Sequence, residues 1–295
     1  MIGASPYPSS GFTILKLEPH LHTVHSDGQD TVRAMFEACK GSGYNAVALT
    51  DHNTLSGVCE AREVAAELGL ILLPGVEVTT FRGHTVVLGV STVPEWRDLE
   101  ARSMDALVEE VHAQGGVMSV AHPASLGSPV CSGCNWQWPI EATSVDLWEV
   151  VSAARLGTDV PLALWRQMLE KGGRIAPVAA GDVHSVAAAS ARRPATYVLT
   201  RERSAEGILE ALRARRVYAS TGTQLEFWFD SGDGRVAYPG DRVHGDDWTP
   251  RVLPARARLT TVTVGPYERC TYAELRDDQG RLEAITAPIW ISTSH

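Results

Sequence analysis

Residues 14–22 read ILKLEPHLH, an apolar run that ends at two histidines placed one residue apart. Asp27 follows five residues later. Alternate residues of a strand project from the same face, so His20 and His22 can converge on one point. Two imidazoles and a carboxylate at one point form the beginning of a transition-metal site. An isolated His-x-His is more often structural than metal-binding, so the interpretation depends on the residues that accompany this pair.

The composition is that of a globular protein with a full core, in one large domain or two smaller ones. The chain has 295 residues, a hydrophobic fraction of 44% and a formal net charge of −9. This charge argues against a stable nucleic-acid complex, although it leaves room for a small nucleotide substrate. No secretory signal pattern is present and no apolar run is long enough to span a bilayer. We therefore expect a cytoplasmic protein with no membrane partner.

Five cysteines are scattered along the chain, which is unlike the framework of a disulfide-rich secreted protein. Cys131 and Cys134 form a single CxxC, which is at most half of a zinc knuckle. A pair of reduced thiols in a loop is favoured over a metal-binding or redox role.

Apolar periodicity predicts alternating strands and helices from residue 14 to residue 220. Helices are predicted over 31–43, 56–68, 104–114, 161–171 and 204–215. Strands are predicted over 14–18, 46–50, 70–77, 85–90, 116–121, 146–151, 175–180 and 196–199. This alternation is typical of a parallel α/β fold, most simply a barrel. From residue 221 onward the pattern indicates a small antiparallel β region without helices, in which residues 230–248 are predicted to be loop.

Histidines and carboxylates lie at the ends of successive predicted strands, which meet on the active face of an α/β barrel. They are His20, His22, Asp27, His52, Glu77, His84, His122, Asp182 and His184. One of them alone would be read as a cap or a surface group, but nine are far more than chance provides. Six imidazoles and three carboxylates exceed the needs of one ion. We therefore predict two or three divalent transition-metal ions, of zinc, manganese or iron.

Five stretches resemble, in order, the motifs of the PHP (polymerase and histidinol phosphatase) domain. They are HLHTVHSDG at 20–28, TDHNT at 50–54, PGVEVTT at 74–80 with GH at 83–84, AHP at 121–123 and GDVH at 181–184. The resemblance covers residues 14–220, and the EVTT and GH motifs are most similar to the CehA/McbA-type branch, named for carbaryl hydrolases. It implies a distorted (β/α)7 barrel over 14–220, followed by a β-rich appendage over 221–295.

The resemblance also implies a set of ligands for each of three ions. His20, His22, Glu77 and Asp182 would hold one ion, and Glu77 would bridge to a second ion held by His84 and His122. Asp27, His52 and His184 would hold the third. Glu77, Asp182 and His184 are thus the predicted catalytic residues, whereas His25 falls at a variable position and is expected to stay outside the ligand set.

The predicted reaction is hydrolysis by a hydroxide that bridges two ions, since no covalent nucleophile is evident. Three divalent ions facing three carboxylates and a hydroxide leave an excess of about two positive charges, which favours an anionic phosphate mono- or diester. Arg155, Arg192 and Arg193 are candidate phosphate contacts, or else solvated surface charges.

Other functions stay open at this point. An empty third site would favour a neutral carbamate or carboxylic ester. A non-catalytic metal-binding module would be expected to have lost ligands, and every expected ligand is present. Trp136 and Trp138 would either wall the pocket or pack within their loop.

Overall fold

The computed structural model describes residues 7, 11–139, 145–152, 159–190 and 194–293. Its helices are α1 Val32–Gly41, α2 Val58–Leu68, α3 Leu99–Arg102, α4 Met104–Ala113, α5 Val160–Glu170, α6 Val186–Ser190 and α7 Ala205–Arg213. The strands up to residue 220 are β1 Thr13–Glu18, β2 Ala46–Leu49, β3 Ile71–Thr80, β4 Gly83–Leu88, β5 Val117–Val120, β6 Leu147–Ser152, β7 Ala176–Ala180, β8 Ala195–Thr200 and β9 Val217–Ser220. The later strands are β10 Glu226–Ser231, β11 Val236–Ala237, β12 Arg242–His244, β13 Trp248–Leu253, β14 Arg258–Gly265, β15 Glu268–Arg276, β16 Leu282–Thr286 and β17 Ile289–Ser292.

Strands β1 to β7 lie side by side in chain order, with α/β alternation as predicted. The β1–β2, β2–β3, β5–β6 and β6–β7 pairs are parallel. Strand β4 is antiparallel to both of its neighbours, so the expectation of a purely parallel order is wrong there. The reason is that only Phe81 and Arg82 separate β3 from β4, whereas a parallel pair needs a crossover of a dozen or more residues.

The segments that follow β1 and β7 also lie side by side, in a parallel bridge between Leu21 and Val183. The amide of His22 donates to the carbonyl of Val183 at 2.8 Å, and the amide of Val183 donates to the carbonyl of His20 at 3.2 Å. This bridge brings the end of the His-x-His segment next to Asp182 and His184. The described strands do not form a continuous ladder between β1 and β7, so the closed barrel stays a prediction.

Helix α1 shows how the local sequence supports this fold. The Thr31 hydroxyl accepts a hydrogen bond from the amide of Ala34 and so caps the helix. Its buried stripe includes Met35, Phe36 and Cys39, which lie on the side of the helix that packs against the sheet. None of the helices among the described residues has the length and apolar character needed to cross a bilayer.

The strands after residue 221 continue the sheet as well as forming a second one. Strands β10, β11 and β13 make a separate three-stranded antiparallel sheet. Strand β16 pairs antiparallel with β9 and thereby joins the later strands to the large sheet. The described residues from 221 to 293 contain no helix, as predicted, but β11 and β12 lie inside the predicted loop, which is wrong to that extent. The predicted domain boundary at residue 221 stays a prediction.

Candidate metal centre

Glu77 is fully buried near the end of β3 and faces three imidazoles with one oxygen. Its Oε2 atom lies 3.2 Å from Nε2 of His20 and 3.2 Å from Nε2 of His22. The same oxygen lies 3.0 Å from Nδ1 of His52. Since a carboxylate oxygen has two lone pairs, it cannot satisfy three nitrogens by hydrogen bonds alone. A cation shared between the oxygen and the nitrogens would satisfy them.

The other oxygen of Glu77 faces two further imidazoles. Oε1 lies 3.1 Å from Nδ1 of His84 and 3.0 Å from Nε2 of His122. The antiparallel register of the β3–β4 hairpin places His84 opposite Thr79, at the same edge of the sheet as Glu77. His122 follows β5 with a φ of 27°, in the left-handed region that non-glycine residues seldom adopt. Glu77 therefore stands between two groups of histidines.

Asp182 and Asp27 extend the cluster on the side of His22. Oδ1 of Asp182 lies 3.4 Å from Nε2 of His22, and it also approaches Nε2 of His20 at 3.6 Å. Oδ2 of Asp27 lies 3.4 Å from Nε2 of His52, and the same oxygen lies 3.3 Å from Nε2 of His184. All nine residues predicted to bind metal are thus brought together in one cluster.

The donor atoms of this cluster fit divalent ions. Four groups of three or four residues have ligand atoms that lie within 4.8 Å of one another: His22, Asp27, His52 and His184; His20, His22 and Asp182; His20, Glu77 and His122; His52, Glu77 and His84. Nε2 of His20, both ring nitrogens of His22 and Oε2 of Glu77 are buried without a hydrogen-bond partner. Buried polar atoms without partners are rare, and here a bound cation would account for them.

Two features hold the loop that carries His22 and Asp27. The buried carboxylate of Asp51 accepts from the amide of Thr23 at 2.8 Å, and it also accepts from the hydroxyls of Thr23 at 2.9 Å and Ser26 at 2.7 Å. Gly28 closes the loop, because a Cβ there would lie 2.6 Å from the carbonyl oxygen of His22. The turn after the His-x-His pair therefore requires glycine at this position.

Glu149, in the middle of β6, is a functional candidate that the sequence interpretation missed. Its side chain is buried, with Oε1 2.9 Å from Nδ1 of His20 and Oε2 accepting from the amide of His122 at 2.7 Å. A carboxylate that holds the outer nitrogen of an imidazole orients the ring toward a metal ion. The available signal was a single acidic residue inside the apolar run 147–151.

Three further groups hydrogen-bond to imidazoles of the cluster. The hydroxyl of Thr79 hydrogen-bonds to Nδ1 of His52. Residues 131–134, here called the CSGC loop, provide two backbone acceptors: the carbonyl of Ser132 for Nε2 of His84 at 3.0 Å and the carbonyl of Cys134 for Nδ1 of His122 at 3.2 Å. When the nitrogens that face these carbonyls carry the protons, Nδ1 of His84 and Nε2 of His122 are unprotonated. Their lone pairs then point toward Glu77 and are available to a metal ion.

Carboxylates control the protonation of the cluster. Burial lowers the pKa of His52, but Asp27 and Glu77 outweigh burial and raise it to about 10. The same balance, with Glu77 as the main partner, raises the pKa of His122 to about 9. Burial raises the pKa of Glu77, yet the imidazoles, chiefly His20, hold it well below its usual range. In the metal-free protein His52 and His122 are therefore imidazolium ions paired with carboxylates, and they must lose protons to bind a cation.

An apolar cavity of about 320 Å³ opens beside the centre. Its wall includes Phe81, Trp96 and Trp138, and the Phe81 side chain is 86% exposed. The cavity shares Thr79 and Ser132 with the groups that orient His52 and His84. Trp138 therefore lines a pocket, which is one of the two roles that the sequence left open for it.

The remaining sequence predictions have three different outcomes. Trp136 packs edge-on against Trp148 of β6 at a centroid distance of 6.5 Å, and it lines a second cavity together with Trp138 and Trp148. His25 lies outside the cluster, with Nδ1 2.9 Å from the Ser56 hydroxyl. Three predicted substrate contacts lie outside the described residues: Arg155, Arg192 and Arg193.

The favoured interpretation of the CxxC as reduced thiols is wrong. Cys131 and Cys134 form a disulfide, with Cα atoms 5.5 Å apart. That separation lies in the usual range for a disulfide. It is reached because the backbone turns sharply at Gly133, which has a φ of 76°.

Residues 18–125 match the family model of the PHP domain. This segment contains seven of the nine residues predicted to bind metal, all except Asp182 and His184. The geometry of the cluster and the sequence match therefore concern the same strand ends.

Two curated relatives show where the sequence similarity lies. The chain is 34% identical over 98 residues to phosphoribosyl 1,2-cyclic phosphate 1,2-diphosphodiesterase of Eggerthella lenta, and 31% identical over 114 residues to 3',5'-nucleoside bisphosphate phosphatase of Chromobacterium violaceum. These matches cover 32% and 34% of this chain, and 37% and 40% of the two relatives. The chain thus matches well under half the length of each relative.

The fold as a whole is similar to a solved structure. That solved structure is of a two-domain protein from Bacteroides vulgatus that contains a predicted PHP-like metal-dependent phosphoesterase. The TM-score is 0.57 at 21% sequence identity, and the match covers 91% of this chain and 78% of that one. The described strands and helices therefore form a PHP-like α/β fold with a β-rich C-terminal region.

Proposed function

We propose that this protein is a metal-dependent phosphoesterase that hydrolyses a small phosphate mono- or diester. The observation that carries the proposal is the buried Glu77 carboxylate, which faces five imidazoles with its two oxygens. The partial similarity to a cyclic phosphodiesterase and a bisphosphate phosphatase supports phosphate esters as the substrate class. The similarity to a PHP-like fold supports the same reaction type.

The proposed ligand sets follow the distances in the cluster. His20, His22 and Asp182 would hold one ion together with Glu77. His84 and His122 would hold a second ion, again with Glu77. Asp27, His52 and His184 would hold the third. Zinc, manganese and iron all suit this set of nitrogen and oxygen donors.

Bound divalent ions would supply a water nucleophile of lowered pKa and stabilise negative charge on the phosphoryl oxygens. The residues of this chain do the rest. Glu149 and the CSGC loop fix the rings of His20, His84 and His122, so that the donors are oriented before substrate arrives. Asp182 and His184 reach the cluster from the loop after β7, and the carboxylate of Asp182 could orient the water and accept its proton.

The cavity beside the centre supports an organic substituent on the phosphate ester. Its walls at Phe81, Trp96 and Trp138 are aromatic, and flat apolar groups stack well on such walls. Arg97 also lines the cavity, where an anionic part of the substrate would compete with Glu95, its ion-pair partner at 2.6 Å, for the guanidinium. The proposed partner is thus a small anionic molecule with an apolar or aromatic group.

A second candidate is a carbamate or carboxylic-ester hydrolase, as in the CehA/McbA-type branch that the sequence resembles. The apolar lining of the same cavity favours it, because a neutral aromatic carbamate needs no guanidinium partner.

We also propose that β1 to β7 close into a distorted barrel, which the bridge between Leu21 and Val183 supports.

Metal analysis and a substrate screen test these proposals together. We expect two or three transition-metal ions per chain after purification in metal-replete medium. The screen uses p-nitrophenyl phosphate, its bis-ester and 1-naphthyl N-methylcarbamate. Hydrolysis of the phosphate esters supports the proposal, and hydrolysis of the carbamate alone reverses the ranking. A metal content of none or one contradicts the multinuclear centre.

Glu77→Gln is the decisive variant. Removing the charge of the carboxylate leaves five imidazoles without their common partner, so we expect bound metal to be lost and turnover to fall by at least about 100-fold. Glu109→Gln, at an exposed position of α4, is the matched control and should keep both. Unchanged metal content and turnover in Glu77→Gln would rule out the central role of this residue.

A further inference from the structure

The CSGC loop lies directly against the metal centre. Its carbonyls at Ser132 and Cys134 hold the outer nitrogens of His84 and His122. The loop is packed closely onto the β3–β4 hairpin, because a Cβ on Gly133 would collide with the carbonyl of Thr80. A change in the conformation of the loop would therefore alter the hydrogen bonds that orient two proposed metal ligands.

The sulfur of Cys134 is itself part of this arrangement. Its Sγ atom and one ring nitrogen each of His84 and His122 lie within 4.8 Å of one another. The residue is only 9% exposed, so the sulfur is largely screened from solvent. Cysteine thiolates and histidine imidazoles are the usual soft and borderline ligands of zinc in proteins.

The other described cysteines do not share this setting. Cys39 and Cys270 are buried and Cys59 is exposed, and all three are free thiols. Burial raises the pKa of the Cys270 thiol to about 12, as befits a core residue. Among the described residues, the groups of potential metal ligands include Cys134 but none of these three.

We propose that the Cys131–Cys134 disulfide is a redox gate on the metal centre: its reduction frees Cys134 as a thiolate ligand that binds a metal ion together with His84 and His122. This inference relies on the proposed metal binding by these two histidines, but not on any particular substrate. In the oxidised protein the sulfur is held in the disulfide, and His84 and His122 both face the carboxylate of Glu77. In the reduced protein a soft donor becomes available beside the two imidazoles.

The reduction step balances with a phosphine or a dithiol as the reductant. A phosphine attacks one sulfur and the S–S bond breaks; water then supplies oxygen to phosphorus, and two protons end on the two thiols. A dithiol instead transfers its two electrons and two protons and becomes a cyclic disulfide. When Cys134 binds a metal ion, its thiol proton leaves to solvent.

The gate would change which metal the protein holds. Thiolate ligands favour zinc and other soft or borderline ions, whereas carboxylates and water suit manganese. We therefore expect the oxidised protein to prefer zinc over manganese at this position by a smaller factor than the reduced protein does. The reduced protein should retain zinc and release manganese more readily.

Cobalt(II) substitution provides a test that is independent of catalysis. The wild-type protein is reduced with a phosphine, desalted without air and loaded with cobalt, and the near-ultraviolet spectrum is compared with that of the oxidised protein. We expect a thiolate-to-cobalt charge-transfer band only in the reduced sample. Cobalt binding to reduced wild-type protein without such a band would overturn the proposal.

Three variants identify which cysteine sulfur binds the cobalt ion. Cys131→Ser leaves Cys134 permanently free and should show the band without reductant, whereas Cys134→Ser should not show it in either state. Cys59→Ser changes an exposed thiol and should behave as wild type. A band that persists in Cys134→Ser would refute the assignment. The comparison of reduced and oxidised wild-type protein decides the matter even if Cys131→Ser fails to fold.

Discussion

Glu77 raises the pKa of two of the imidazoles around it, and this has a measurable consequence. In the metal-free protein its carboxylate, with that of Asp27, raises the pKa of His52 to about 10, and it raises that of His122 to about 9. Both rings therefore carry protons at neutral pH and must lose them on binding metal. We predict proton release on zinc binding near pH 7.5, and an apparent affinity that rises with pH until about pH 10, where His52 is also neutral.

Calorimetry can count these protons. Zinc is titrated into the metal-free protein in buffers of different ionisation enthalpy. The observed binding enthalpy is plotted against the ionisation enthalpy of the buffer, and the slope gives the number of protons released. Glu109→Gln should release as many protons as wild type. Binding without proton release would mean that the imidazoles are neutral before the metal arrives.

Glu149 is predicted to act through the two histidines that it holds. In Glu149→Gln the amide cannot act as a charged partner for Nδ1 of His20, so we expect metal affinity to fall by about 10–100-fold. Competition with a chromophoric chelator measures this affinity directly, with Glu109→Gln as the control. An affinity equal to that of wild type would assign Glu149 a purely structural role.

At the scale of elements, the contact between the CSGC loop and the β3–β4 hairpin allows a controlled comparison. Gly133 and Gly172 both have positive φ, at 76° and 93°. A Cβ on Gly133 collides with the Thr80 carbonyl, whereas a Cβ on Gly172 meets nothing within 4 Å. Gly133→Ala should therefore lower the free energy of unfolding by about 1–3 kcal/mol more than Gly172→Ala does.

Urea denaturation of the metal-free proteins measures that difference. The same variants then report on the centre, because a displaced loop withdraws the carbonyls that hold His84 and His122. Gly133→Ala should bind zinc more weakly and Gly172→Ala should not. Equal unfolding free energies for the two variants would show that the loop yields to the added methyl group.

At the scale of the whole molecule, the C-terminal strands are packed onto the sheet that builds the site. Strand β16 pairs with β9, and the ring of Tyr272 in β15 lies edge-on to Trp165 in α5, 4.9 Å between centroids. The guanidinium of Arg166 also donates to the Tyr272 hydroxyl at 2.7 Å. A fragment of residues 1–220 would expose this buried face, so we predict that it fails to unfold cooperatively and aggregates.

The predicted domain boundary at residue 221 is tested by the same fragment. Light scattering, the unfolding transition and zinc binding are compared with those of the full chain. A soluble fragment with the zinc affinity of the full chain would contradict the predicted aggregation, and it would support a domain boundary at residue 221.

The positions of the nine site residues could be predicted because each follows a strand, and strand ends of an α/β sheet gather at one edge. The direction of β4 was missed because apolar alternation does not distinguish parallel from antiparallel pairing. Glu149 and the carbonyls of Ser132 and Cys134 were missed because their roles arise only from contacts between distant segments. Their side-chain type or backbone carries no local signal of those contacts.

The spacing of these residues along the chain also bears on the order in which the protein folds. Glu77 and His84 are seven residues apart in a hairpin, whereas His20 and Glu149 are 129 residues apart. Short-range contacts close quickly, and long-range contacts wait for most of the chain. We expect a folding chain to present the hairpin pair early but to acquire full metal affinity only at the end. The rate of metal uptake during refolding would then report the completion of the whole topology.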